Sequence, residues 1–250
     1  MSRALIGTSG WSYAHWKRVF YPDGCTGTKM LPFYAQHFHT VELNASFYRL
    51  PKAITFDGWA QKTPQGFVFA VKASRFITHI KRLADIKQPW EAFIANASHL
   101  GEKLGPVLFQ LPPSLKADTS VLDDFFAQLP NTLLYVLEPR NQSFFQQPVI
   151  DLMRRHNICL CVADSPRYPR SFVTTATFVY VRLHGSTSLY GSKYTDEELG
   201  FWADKVWAWL KQDLDVYVYF NNDLEGFAVE NARTLMEMLG QEPPAADSRT

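Results

Sequence analysis

The sequence predicts an α/β protein built as a TIM (β/α)8 barrel. Eight short apolar runs alternate with amphipathic helical stretches, the first element is a strand and the last is a helix. No Gly-rich dinucleotide turn follows the first strand, as a doubly wound open sheet would lead one to expect. The length of 250 residues suits one barrel domain over residues 1–240. The remainder, 241–250, reads "QEPPAADSRT" and is expected to be a disordered tail.

The strands are read in order as "ALIG" near Ala4, "TVEL" near Thr40, "FVFAVK" from Phe67 and "PVLFQL" from Pro106. "TLLYVLE" from Thr132, "ICLCVAD" from Ile158, "FVYVRLHG" from Phe178 and "DVYVYFN" from Asp215 complete the set. Between them, helical spacing aligns Trp90, Phe93, Ile94, Ala97 and Leu104 on one stripe. It does the same for Leu199, Trp202, Val206, Trp209 and Leu210, with Thr195 or Asp196 as N-cap and acids in the first turn. Ala228, Ala232, Leu235 and Leu239 mark the closing helix.

The bulk numbers limit the partners. With 46% hydrophobic residues and a net charge of +1, the chain has no global field favouring nucleic acid or an anionic membrane. No apolar run reaches the length of a membrane span, and the N-terminus lacks the pattern of a signal peptide. A cytoplasmic location is the default expectation. Cys159 and Cys161 lie two apart on one strand face, which suits buried packing better than metal binding. Cys25 is read as a loop thiol.

Barrels place their chemistry at the C-terminal strand ends. Strand two ends in Glu42 and Asn44, strand three in Lys72, strand four in Gln110, and strand five in Glu138 and Arg140. Strand six ends in Asp164, strand seven in Arg182 and His184, and strand eight in Asn221. Alternation puts Tyr180, Arg182 and His184 on one face, with Val181 and Leu183 on the other. Charges gathered there must pair with one another or meet a ligand. The Gly- and hydroxyl-rich loop from Gly185, and Gly226 before the last helix, suggest a phosphate site.

The stretches "GTSGWSYAHWKRVFYP", "VELNASFYRLP", "FVFAVKASRFITH", "GPVLFQLPPS", "EPR", "VRLHGS" and "VYFNN" together resemble the YecE-like family of TIM barrels. The resemblance runs to about Gly240. It implies a cytoplasmic barrel and supplies no reaction, because that family is catalogued as a domain of unknown function. The chain departs from the family pattern at Asn141 and Phe144, where His and Trp are often found.

The residues favour an enzyme acting on a small anionic molecule, phosphorylated or otherwise, of hydrolase or lyase type. Glu42, Glu138 and His184 are the candidate acid/base groups. Lys72, Arg140 and Arg182 would hold the anion, together with Asn44, Gln110, Asp164 and Asn221. Trp11, Tyr13, Phe47 and Tyr48 would wall the pocket. A Schiff-base role for Lys72 is a further option. A glycosidase pair, Glu42 and Glu138, fits the surrounding basic residues poorly. A metal-dependent phosphodiesterase or nuclease is an alternative, using His184, Glu42, Glu138 and Asp164, with His15 and His79 nearby. No metal or other cofactor is expected on the leading reading, and a divalent metal is required on this one. A non-catalytic binder of nucleic acid or a phosphorylated ligand is the third reading. Oligomeric state cannot be read from the sequence.

Overall fold

A computed structural model describes residues 2–244 of the chain. Five strands, β1 (Ala4–Thr8), β2 (Thr40–Leu43), β3 (Val68–Lys72), β4 (Leu104–Gln110) and β5 (Tyr135–Glu138), fall where the apolar runs predict them. The run "ICLCVAD" forms two ladder segments, β6 (Ile158–Leu160) and β7 (Val162–Asp164), interrupted at Cys161. β8 (Phe178–Leu183) and β9 (Asp215–Phe220) complete the set.

Every pairing between these strands is parallel, in two arcs of order β1-β9-β8-β7 and β2-β3-β4-β5-β6. The arcs meet at two seams. At one, the chain runs from β6 into β7, and Cys161 N–H still donates to Leu137 O at 2.9 Å. At the other, Ser9 bridges Glu42, and Gly10 N–H donates to Glu42 O at 2.9 Å. Gly7 permits that approach, because a Cβ there would collide with the carbonyl of Thr40. The result is the expected TIM-barrel-like α/β architecture.

Period-two alternation sorts the strand residues into two cores. Leu5, Ala70, Leu108, Val136, Cys159, Cys161, Ala163, Tyr180 and Tyr219 pack inside the ring. Val41, Leu43, Val181, Leu183 and Val216 pack outward against the helices. Both strand cysteines are therefore interior packing groups. Cys25 lies in a loop as expected but is buried.

The helical layer comprises α1 (Met30–Ala35), α2 (Ala45–Tyr48), α3 (Ala53–Gln61), α4 (Lys87–Ala97), α5 (Thr119–Ala127), α6 (Gln147–Arg155), α7 (Asp196–Leu210) and α8 (Phe227–Met238). α7 begins with a full capping box between Thr195 and Glu198, and buries Leu199, Trp202, Val206 and Trp209. α4 ends at Ala97, and Leu104, expected on its stripe, opens β4 instead.

One expected helix is missing. No helix links β7 to β8. The connection contains Pro166 and Pro169, and proline disfavours a helix interior. Thr175 fastens this loop to the strands: its hydroxyl accepts from Leu160 N–H at 2.8 Å and donates to Ile158 O at 2.7 Å. Of the expected tail, Gln241 is tied to the body through Ala4 O at 3.0 Å, and residues 245–250 lie outside the described residues.

Candidate functional site

The polar groups converge on Arg182, which alternation along β8 turns into the ring between Tyr180 and His184. Its side chain is 1% exposed. Nε donates to Glu42 Oε1 at 2.9 Å and Nη2 to Glu42 Oε2 at 2.7 Å, a bidentate pair. Nη1 donates to Glu138 Oε2 at 2.6 Å, and Nη2 also reaches Ser9 Oγ at 3.2 Å. Tyr180 O–H adds a bond to Glu42 Oε1 at 2.8 Å, and Ser9 donates to Glu42 Oε2. Asn44 Nδ2 then donates to Ser9 Oγ at 2.6 Å, while Asn44 Oδ1 is buried without a partner.

Burial alone would raise the carboxyl pKa of Glu42. The Arg182 charge, with bonds from Arg182 and Ser9, reverses this and holds it below the ordinary value. Glu138 is held lower still: burial opposes ionisation, but Arg182 and the His184 hydrogen bond outweigh it. Both side chains are therefore carboxylates at neutral pH.

His184 is fully buried, and burial lowers its pKa against the pull of Glu138, so the ring is neutral. Its Nε2 lies 3.0 Å from Glu138 Oε1. An ionised carboxylate only accepts, so Nε2 carries the proton, and Nδ1 accepts from Asn221 Nδ2 at 3.0 Å. Glu138, His184 and Asn221 thus form a chain with one allowed tautomer.

Lys72 stands apart from the carboxylates. Its Nζ donates to Gln110 Oε1 at 3.0 Å and lies 4.1 Å over the Phe47 ring centroid. Gln110 is itself oriented by donating to Leu111 O at 3.0 Å. Burial, then the neighbouring Arg182 charge, brings the Lys72 pKa down to about 7. Arg140 lies 4.3 Å over the Tyr168 ring and 3.9 Å from Glu138, with its Nε unpartnered. His79 is pushed down to about 4 by burial and then by Lys72, Arg75 and Arg140. The side of the ring near β3 therefore carries excess positive charge.

Above Arg182 opens a cleft of about 800 Å³. Trp11, Tyr13, Tyr48, Trp59 and Tyr190 contribute aromatic walls, and Asn44, Lys62, Lys72, Arg182, Asn221 and Asp223 contribute polar ones. Trp11 and Trp59 meet edge to face at 5.4 Å. Tyr13 O–H donates to Ser9 O at 2.5 Å, tying the wall to the array below. Tyr48 is 83% exposed at the rim, whereas Phe47 is buried beneath Lys72.

The structure thus gathers Glu42, Glu138, His184, Asn44, Lys72, Gln110, Arg140, Arg182 and Asn221 at one end of the ring, with Trp11, Tyr13 and Tyr48 around the opening. Asp164 is not among them. Ala163 faces the interior, so Asp164 faces the helical layer, where it accepts from Tyr194 O–H at 2.9 Å and pairs with Arg170. It lines a separate cavity of about 560 Å³ against α7. The sequence reading also missed Ser9, Trp59, Lys62, Tyr190 and Asp223. Ser9 follows the end of β1, so the strand-end rule applied to that strand would have found it.

The other expectations resolve locally. Gly226, with φ +84°, caps α8, and its N–H donates to Asp223 O at 3.2 Å. Val19 occupies the space where a Cβ would lie. Asn141 caps the short helix 142–145 through Ser143 N–H at 3.1 Å, and Phe144 is buried. His15 bonds Asp223 O at 2.7 Å. Among the described residues, no three His, Cys, Asp or Glu side chains gather to hold a metal ion. Among them too, no helix is long and apolar enough to cross a membrane.

Comparison with known proteins extends the resemblance carried by the motifs. The protein is 28% identical to UPF0759 protein YunF of Bacillus subtilis, covering 94% of each chain. It is 26% identical to UPF0759 protein YecE of Escherichia coli, covering 96% of this chain and 93% of that one. A crystal structure of a DUF72 family protein from Thermotoga maritima superposes with a TM-score of 0.86 at 30% identity, over 96% of this chain and all of the other. A second DUF72 structure, from Enterococcus faecalis, gives 0.82 at 21% identity over 98% of this chain and 100% of that one, a likeness of fold. Residues 5–250 match the family described as "Protein of unknown function DUF72", and the chain belongs to that family.

Proposed function

We propose that this protein is an enzyme that takes a small anionic organic substrate into the 800 Å³ cleft and acts on it by proton transfer. The observation that carries this reading is the contrast between its two cations. The Arg182 charge is matched by two carboxylates in direct contact, while Lys72 is a buried amine on the cleft wall whose own contacts are the Gln110 oxygen and the Phe47 ring. Burial and Arg182 outweigh the more distant pull of Glu138 and Glu42 on it.

Lys72, with a pKa brought to about 7, can give or take a proton near neutral pH. Glu42 has donors on both oxygens, so its part is to fix Arg182 in place. Glu138 and His184 hold Asn221 at the cleft, and Asn44 lines it nearby. Lys62 and the excess charge sensed by His79 favour an anion. The aromatic walls exclude water from the substrate's remainder. A metal-dependent hydrolase would need Glu42, Glu138, Asp164 and His184 as ligands, but Asp164 faces the other side of the sheet and the rest are bonded among themselves.

A thermal-shift panel of phosphorylated and carboxylated metabolites tests the reading. A ligand that stabilises the protein should lose about tenfold or more in affinity with Tyr48→Ala or Asn221→Ala. If no anion on the panel stabilises the protein, the reading fails.

A further inference from the structure

The surroundings of Lys72 suit one kind of chemistry in particular. Among the described residues, no carboxylate comes within 4.0 Å of Nζ, since Glu42 and Glu138 are engaged with Arg182. The nitrogen donates one N–H to a fixed acceptor, Gln110 Oε1, at 3.0 Å. It rests on the face of Phe47 and reaches the cleft wall. In the neutral form, an amine held through one N–H directs its lone pair away from that acceptor. Burial and the Arg182 charge keep much of Lys72 neutral near pH 7.

We propose that Lys72 is a nucleophile that forms an imine with an aldehyde or ketone bearing an anionic group. This rests on the reading of the same cleft given above. The Nζ lone pair forms a bond to the carbonyl carbon, and the π pair moves to oxygen. Two protons from nitrogen leave with that oxygen as water. Counted from the ammonium form, RNH3+ and O=CR2 give RNH+=CR2 and H2O, with no oxidant or reductant. The iminium nitrogen then draws electrons from the adjacent carbon, easing removal of a proton or cleavage of a carbon–carbon bond there. Lys62 lines the same cleft and would receive the anionic group.

Reductive trapping tests the step. The protein is incubated separately with pyruvate, dihydroxyacetone phosphate and pyridoxal 5′-phosphate, each with sodium cyanoborohydride, and analysed by intact mass and peptide mapping. At least one compound should add once per chain, on the Lys72 peptide, at least tenfold faster than on exposed Lys211. Lys72→Met should abolish that adduct and Lys211→Met should leave it. Should Lys72→Met fail to fold, mapping of the wild-type chain decides. Labelling that shows no preference for Lys72 overturns the imine. If anions still stabilise the protein while Lys72 stays unlabelled, only the imine falls. If neither occurs, both readings fall.

Discussion

Arg182 and Glu42 form a two-point ion pair buried almost completely at the floor of the cleft: Nε and Nη2 meet the two carboxylate oxygens at 2.9 and 2.7 Å. Removing one member of such a pair leaves the other charged in a dry interior. Arg182→Met would strand both Glu42 and Glu138. It is expected to lower stability by about 3–5 kcal/mol, read from the urea midpoint of unfolding. Arg182→Lys should recover little of this, because one ammonium cannot reproduce the fork.

Acid should unfold the protein in two stages. His184 is held neutral, with its pKa below the ordinary 6.5, so below that pH the unfolded chain takes up a proton that the folded one refuses. Stability falls there first. Glu42 and Glu138 have folded pKa values below 4.5, so their contribution is complete above 4.5 and is lost as pH falls through the folded values. Denaturant titrations between pH 7 and 3 should show both slopes. His184→Asn should make the upper one shallower without abolishing it, because burial also lowers the pKa values of His79 and His37.

Between about pH 7 and pH 9 the slope should point the other way. The unfolded chain keeps Lys72 protonated up to its ordinary 10.5, while the folded amine loses its proton near 7, so stability rises with pH in this window. Above 9 the trend reverses, because burial holds the thiols of Cys159 and Cys161 protonated while the unfolded thiols ionise. Lys72→Met should remove most of the rise, leaving the part due to Lys103, whose pKa burial also lowers, and a rise undiminished by the substitution would contradict this account.

The eight apolar runs were legible because each strand is short and sharply patterned, and β8 shows why the site was too. Its alternation alone places Tyr180, Arg182 and His184 inward. Asp164 was misplaced because the strand-end rule was applied without the parity of its own strand, in which Cys159, Cys161 and Ala163 take the interior. The missing helix before β8 could have been read from Pro166 and Pro169. Which oxygen meets which nitrogen could not, since Glu42 and Arg182 are 140 residues apart and their pairing depends on the register of the whole ring. Ser9, a small hydroxyl in "GTSGW", looks like loop filler until its three partners are known.

The helix-free connection offers a local test. Thr175→Val removes a hydroxyl that serves Leu160 N–H and Ile158 O, at nearly constant volume. The cost should be about 1–3 kcal/mol. Hydrogen exchange should quicken at Leu160 and across 165–177, with little change at β2 and β3.

β8 belongs to one arc of strands, whereas β2 and β5 belong to the other. Arg182 therefore works as a clasp between the two halves of the ring, gripping Glu42 on one strand and Glu138 on another. Assembly of the molecule and assembly of its mouth are one event. A chain whose halves have not yet locked together has no site, and any molecule that fits the finished mouth would also tighten the seam beneath it.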